Sequence, residues 1–146
     1  MSPGKIDIPV VRRHLLAIDA VVQTLRAHQG RPLGLLERDV EERWVIERGL
    51  QLCAQNALDV ATHLAAAAGL DVPDYAAAIS RLVELDILRR DFGEKFRSVA
   101  GFRNVVVHGY LDVDIQLLHR LLNQRLDDFA EFANHVSSYI ASQPET

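Results

Sequence analysis

Residues 113–141, VDIQLLHRLLNQRLDDFAEFANHVSSYIA, place Ile115, Leu118, Leu122, Leu126, Phe129, Ala133, Val136 and Ile140 at steps of three and four. That spacing keeps these eight apolar residues on one side of a helix and predicts a long amphipathic element from about Val113 to Ala141. Working outward, a similar stripe recurs at the other end of the chain. Val11, Leu15, Ile18, Val22 and Leu25 predict a helix from about Ile8 to His28, stopped by Gly30, Pro32 and Gly34. Between them, residues Leu36 to Ala68 are free of proline, rich in Ala and Leu and followed by Gly69, which predicts a long second helix with Val45, Leu52, Cys53, Val60 and Leu64 on its apolar side.

Asp71, Pro73 and Asp74 punctuate the chain and open a shorter helix, Asp74 to Leu85, with Ile79, Leu82 and Val83 inward. A fourth helix is predicted from Arg89 to His108, ended by Gly109, with Asp112 capping the next. The β-branched run Val105–Val107 is locally ambiguous, but no segment sustains the period-two alternation of a half-buried strand. The expected fold is therefore all-α: an antiparallel bundle of four long helices plus one shorter helix, in one domain over residues 1–146.

Composition narrows the function classes. Nearly half the residues are hydrophobic and a quarter are charged, the balance of a chain that folds. A single cysteine, Cys53, allows no intrachain disulfide and suits a reducing, cytoplasmic setting, and neither a signal peptide nor an apolar run long enough for a bilayer is present. The net charge of −4 argues against broad adhesion to nucleic acid, so any contact with RNA must be local. Arg89, Arg90, Lys95 and Arg97, close before Arg103, offer such a locus, although a solvated helix face has the same composition.

The segment Gly101–Tyr110, GFRNVVVHGY, interrupts a hydrophobic helix end with polar groups suited to phosphodiester chemistry. Cleaving RNA without a metal requires a base for the 2′-hydroxyl, an acid for the leaving oxygen and positive charge at the phosphorane. His108 has the side chain that exchanges protons near neutral pH, and Arg103 carries a planar, permanently charged fork matched to phosphate. With fourteen arginines and six histidines the Arg-x4-His spacing arises by chance with odds of about one half, so the spacing alone is weak. Five helical steps rotate a side chain by roughly 140°, which leaves the long arginine or the helix end to close the gap. Asn104 shares a face with His108, where it could orient the imidazole or bind the sugar-phosphate backbone. Tyr110 follows the helix end, where a packing role and a ligand-binding role are equally open.

Other features read more plainly. Gln51, Gln55, Asp59 and Thr62 or His63 form a polar row on the second helix; Asp59 and His63, four apart, can pair and support a cleft, or the row is simply an interhelical polar face. His14, His28, His119 and His135 have no companions at metal-binding spacing, so no metal is expected and no cofactor is implied. Trp44 and the phenylalanines are expected as core or dimer anchors rather than base-stacking platforms.

Arg103, Asn104, His108 and Tyr110 together match the Arg-x4-His-x-Tyr signature, and on them the chain resembles the HepT-like proteins of the HEPN superfamily. Glu47, Arg48, Leu50 and Gln51 with Asp59 and His63 resemble that family's second helix, and Pro73 with Tyr75 its next helix start. The resemblance implies a homodimer whose two motifs face a shared cleft, acting as a metal-independent endoribonuclease toxin. It also implies an MntA-like nucleotidyltransferase antitoxin that silences the toxin by transferring AMP to the motif tyrosine, here Tyr110. The competing expectation is a non-catalytic helical subunit that binds such a nucleotidyltransferase while the partner performs the chemistry.

Overall fold

The computed structural model describes residues 4–101 and 114–143. Helix α1, Ile8–Arg26, begins where the Asp7 carboxylate accepts the Val10 amide at 3.1 Å, with a proline in its first turn. Its five stripe residues, Val11, Leu15, Ile18, Val22 and Leu25, are all buried, as the periodicity predicts.

The expected second helix is divided. Leu33–Arg38 forms a short α2 after Pro32, the backbone turns extended at Asp39, and α3 runs from Val40 to Ala67. Asp39 explains the break, because its side chain accepts the Glu42 amide at 3.2 Å and serves as the cap of a new helix rather than as an interior residue of an old one. Gly69, at φ +78°, ends α3: its amide bonds Ala66 O and that of Leu70 bonds Ala65 O. The buried face of α3 is centred on Ile46, Leu50, Cys53, Ala57, Val60 and Leu64. Of the expected apolar side, Cys53, Val60 and Leu64 are buried, whereas Leu52 is only half-buried and Val45 is exposed.

Helices α1 and α3 are antiparallel. Leu25 packs on Gly49, where an added Cβ would lie 2.7 Å from Leu25 Cδ2; His14 Nδ1 meets Asn56 Oδ1 at 2.8 Å; and the Asp7 amide donates to His63 Nε2 at 2.9 Å. The last helix crosses the other side of α1. It comprises α6, Ile115–Arg120, a π-helical turn over Leu121–Arg125, and α7, Leu126–Ala141. Asp114 caps α6 by accepting the Leu117 amide at 3.0 Å. The sequence reading gave that role to Asp112, which lies outside the described residues. At the π turn the α1–α2 loop supplies partners: Gln29 Nε2 donates to Leu122 O at 2.9 Å and the Gly30 amide to Asn123 Oδ1 at 2.9 Å.

Helix α4, Tyr75–Glu84, is capped by Asp74, which accepts the Ala77 amide at 2.7 Å; Ile79 and Leu82 are buried and Val83 is half-buried. It ends with Asp86 in the left-handed region at φ 58°, where the Asp86 amide bonds Val83 O and the Ile87 amide bonds Leu82 O. Helix α5, Arg90–Phe96, follows, with Gly93 so close to α4 that a Cβ there would strike Val83. Residues 98–101 are helical again after a turn at Arg97, so the expected fourth helix is present in two pieces as far as 101.

Two interactions tie α5 to α7. Phe96, fully buried, stacks on Phe92 at 5.2 Å and on Phe132 at 4.9 Å and meets Phe129 edge-on at 5.8 Å. Beside it the buried Asp128 carboxylate receives Arg125 Nε at 2.6 Å and Lys95 Nζ at 3.1 Å. Arg125 also donates through Nη2 to Lys95 O at 3.2 Å and to Ser98 Oγ at 3.0 Å, which pins the joint between α5 and residues 98–101. Among the described residues no helix is long and apolar enough to cross a membrane.

Asp86→Gly should raise unfolding stability by about 0.5–1 kcal/mol, since glycine adopts the left-handed backbone without the Cβ clash; a lowered thermal midpoint would refute the strain at this turn. Gly93→Ala should cost about 1–3 kcal/mol through the collision with Val83, and an unchanged midpoint would mean that α4 and α5 have room to part. Asp128→Asn should lower stability by about 1.5–3 kcal/mol in urea titration, an indifferent substitution showing that the clamp carries little weight.

Candidate active site

Arg103, Asn104, His108 and Tyr110 lie outside the described residues, so the site is approached through the two ends that hold its segment. On the incoming side, Val99 and Ala100 are buried while Gly101 is exposed, and Arg125 fixes Ser98. The outgoing side is anchored by buried Leu118, Leu121 and Leu122 and by His119 Nε2, 3.0 Å from the Arg31 carbonyl. Both ends therefore attach to the last helix around its π turn. Arg125, Asp128 and Ser98 were not singled out from the sequence. The i,i+3 pair Arg125–Asp128 was visible there, but its link to Lys95 and Ser98 exists only after α5 and α7 pack.

The polar row of α3 is present, and of its two readings the Asp59–His63 pair is not formed. Asp59 Oδ1 accepts Gln55 Nε2 at 2.8 Å, and His63 Nε2 accepts the Asp7 amide, a role that requires an unprotonated nitrogen. The amide at the start of α1 therefore competes for the imidazole. Thr62 Oγ1 is buried with no hydrogen-bond partner among the described residues. Burial raises the Glu47 carboxyl above its ordinary pKa, with Arg43 opposing the shift. Burial also pushes the Cys53 thiol up to about 12, the state of an inert core thiol.

The basic cluster separates into two kinds of residue. Arg90 and Arg97 are exposed with no ion pair among the described residues, and Arg89, also exposed, is 3.6 Å from Asp91, a separation at which an exposed pair contributes little. Lys95 is committed to Asp128 and lies 5.9 Å over the Phe92 ring. Arg89 and Arg90 line a cleft of about 250 Å³ with Asp86 and His135. Trp44, expected as a core or dimer anchor, is 62% exposed and so is no part of this chain's own core. Among the described residues no group of three or more His, Cys, Asp or Glu is arranged to hold a metal ion.

Comparison with known proteins agrees with this fold. The chain is 26% identical over 107 residues to a tRNA nuclease HepT of Aphanizomenon flos-aquae, 72% of each chain. It is 21% identical over 90 residues to the mRNA nuclease HepT of Shewanella oneidensis, 61% of this chain and 68% of that protein. Among solved structures it resembles the tri-AMPylated S. oneidensis HEPN toxin in complex with MNT antitoxin, with a TM-score of 0.77 at 17% identity over 88% of this chain and 97% of that one. It also resembles YutE of Bacillus subtilis, a cytosolic protein of unknown function, with a TM-score of 0.82 at 16% identity over 97% and 96% of the two chains. At such identities the structural likeness speaks for the fold, and the family rests on the sequence. The profile of the Ribonuclease HepT-like family matches residues 17–136, and the chain belongs to that family.

Proposed function

We propose that this chain is a metal-independent endoribonuclease toxin whose chemistry is performed by Arg103 and His108. The observation that carries the reading is the run Arg103-Asn104-x3-His108-x-Tyr110 in a chain of the Ribonuclease HepT-like family, two of whose relatives are nucleases of RNA. In this reading His108 moves the proton of the 2′-hydroxyl, whose oxygen attacks the neighbouring phosphorus. The bond to the 5′-oxygen breaks, that oxygen takes up a proton, and Arg103 neutralises the charge that builds on the phosphorane. Asn104 orients the imidazole. Arg90 and Arg97, unpaired among the described residues, supply positive charge for the flanking backbone, with Arg89 beside them; Lys95 serves the Asp128 clamp first. Asp59 and His63 support the helix carrying the polar row through their separate partners rather than as a pair.

Regulation is proposed through a nucleotidyltransferase antitoxin of the MntA kind that transfers AMP from ATP to the Tyr110 hydroxyl and releases pyrophosphate. The support is the likeness to an AMPylated toxin held with its antitoxin. Adenylyl groups beside Arg103 and His108 would place negative charge and bulk where an RNA phosphate binds. Two copies of the chain, each presenting its motif to a shared cleft, complete the proposed assembly.

The test is cleavage of RNA by the purified chain in the presence of a chelator. His108→Ala and Arg103→Ala should each lower the rate by about 10²–10⁴-fold, a 2′-deoxy substitution at the scissile nucleotide should abolish cleavage, and Tyr110→Phe should cleave yet gain no adenylyl mass with the antitoxin and ATP. Undiminished cleavage by His108→Ala, or cleavage that vanishes with chelator and returns with a divalent cation, would sink the assignment.

A further inference from the structure

The cleft where α4 meets α5 gathers polar groups that the fold itself does not employ. Asp86, Arg89 and Arg90 line it together with His135 of α7, and Val83, Ile87 and Leu88 form its apolar wall, around a volume of about 250 Å³. Asp86, Arg89 and Arg90 are exposed and His135 is half-buried. The His135 ring is placed by Phe92, with 5.2 Å between centroids, and neither of its nitrogens has a hydrogen-bond partner among the described residues. The Asp86 carboxylate and the Arg90 guanidinium have none there either, and Arg89 has only the 3.6 Å approach of Asp91.

Stability does not account for the side chain at Asp86. Its backbone lies in the left-handed region at φ 58°, where a Cβ is strained and glycine is not, and α5 begins without a side-chain cap, so the carboxylate is not spent on the next helix. Backbone strain kept at the rim of a cleft is a mark of use.

The mixture of groups defines what the cleft can hold. A bare anion would gain two guanidinium groups but face Asp86, and a bare cation would meet the reverse. A ligand that carries a phosphate and a hydroxyl satisfies both: the phosphate is received by Arg89 and Arg90, and the hydroxyl donates to the carboxylate. The apolar wall and the imidazole ring then remain for a flat, weakly polar body. A ribonucleotide unit has all three parts in its phosphate, 2′-hydroxyl and base.

We propose that this cleft is a ribonucleotide subsite, which takes a nucleotide of the RNA strand flanking the one that is cleaved and selects RNA over DNA through Asp86. The inference rests on the nuclease reading for its strand, and it adds the place, the parts played by Asp86 and His135, and the discrimination against DNA.

The test is titration of a short single-stranded oligoribonucleotide, and of DNA with the same sequence, followed by fluorescence anisotropy in an Arg103→Ala/His108→Ala background that keeps the strand whole. Arg89→Gln with Arg90→Gln should weaken RNA binding at least about 10-fold and lower the slope of log affinity against log salt by about 1. Asp86→Gly should cut the preference for RNA over DNA about 10-fold, and its thermal midpoint, expected to rise, excludes misfolding. RNA affinity indifferent to the arginine pair, or a preference unchanged in Asp86→Gly, would overturn the subsite and leave the nuclease reading standing. Free AMP that binds as tightly as the oligonucleotide, and is lost with the same substitutions, would assign the cleft to a soluble nucleotide and overturn the strand. Cleavage that persists in the Arg103→Ala/His108→Ala background would remove the nuclease assignment alone, and the subsite would then show as a raised KM of that cleavage for the arginine pair.

Discussion

Burial of Phe96 among Phe92, Phe129 and Phe132 determines where the chain stands as it enters the segment proposed to carry its chemistry. An aromatic ring of that size, once removed from water, cannot shift without opening a cavity that costs several kcal/mol, so α5 is held against α7. The buried Asp128 carboxylate converts this apolar attachment into a directional one. Removed from water, it requires its partners, and Arg125 and Lys95 reach it only when the end of α5 lies across the start of α7. Arg125 then bonds the Lys95 carbonyl and the Ser98 hydroxyl, which sets the direction of residues 98–101. Geometry as far as residue 101 is thus set by the packing around Phe96 and Asp128.

Much of this fold was legible in the sequence because its helices are amphipathic. The α1 stripe, the inward residues of the last helix and the Asp74 start of α4 follow from spacing and capping alone. The misreadings share a cause: a local choice was settled by a side chain or by a distant loop. Asp39 was compatible with a continuous helix but forms a better cap. The π turn at Leu121–Arg125 has no signature in the apolar stripe, because its partners, Gln29 and Gly30, arrive from the α1–α2 loop. Val45 read as inward-facing because apolar character does not reveal which of two neighbouring stripes a helix turns inward. For the site the division differs: the residues proposed to act on RNA were legible from their chemistry, whereas the residues that hold their segment are defined only by tertiary contact.

The electrostatic arrangement is consistent with selective rather than adhesive contact with RNA. A chain of net charge −4 repels polyanions over most of its surface, so binding energy must come from a confined set of cations. Arg90 and Arg97 are open for such use, and Lys95 is largely not, because its ammonium neutralises Asp128. In the proposed function, stability and recognition therefore draw on different members of one basic cluster.

The central claim is that Arg103 and His108 act on one phosphodiester, and a double-mutant cycle on RNA cleavage by the purified chain tests it most directly. Rates would be compared for the unmodified chain, Arg103→Ala, His108→Ala and the double substitution. Groups that serve a single transition state are strongly non-additive, so the double variant should be little slower than the slower single one. Losses that simply multiply would show that the two side chains contribute independently, and the account of a shared site would be contradicted.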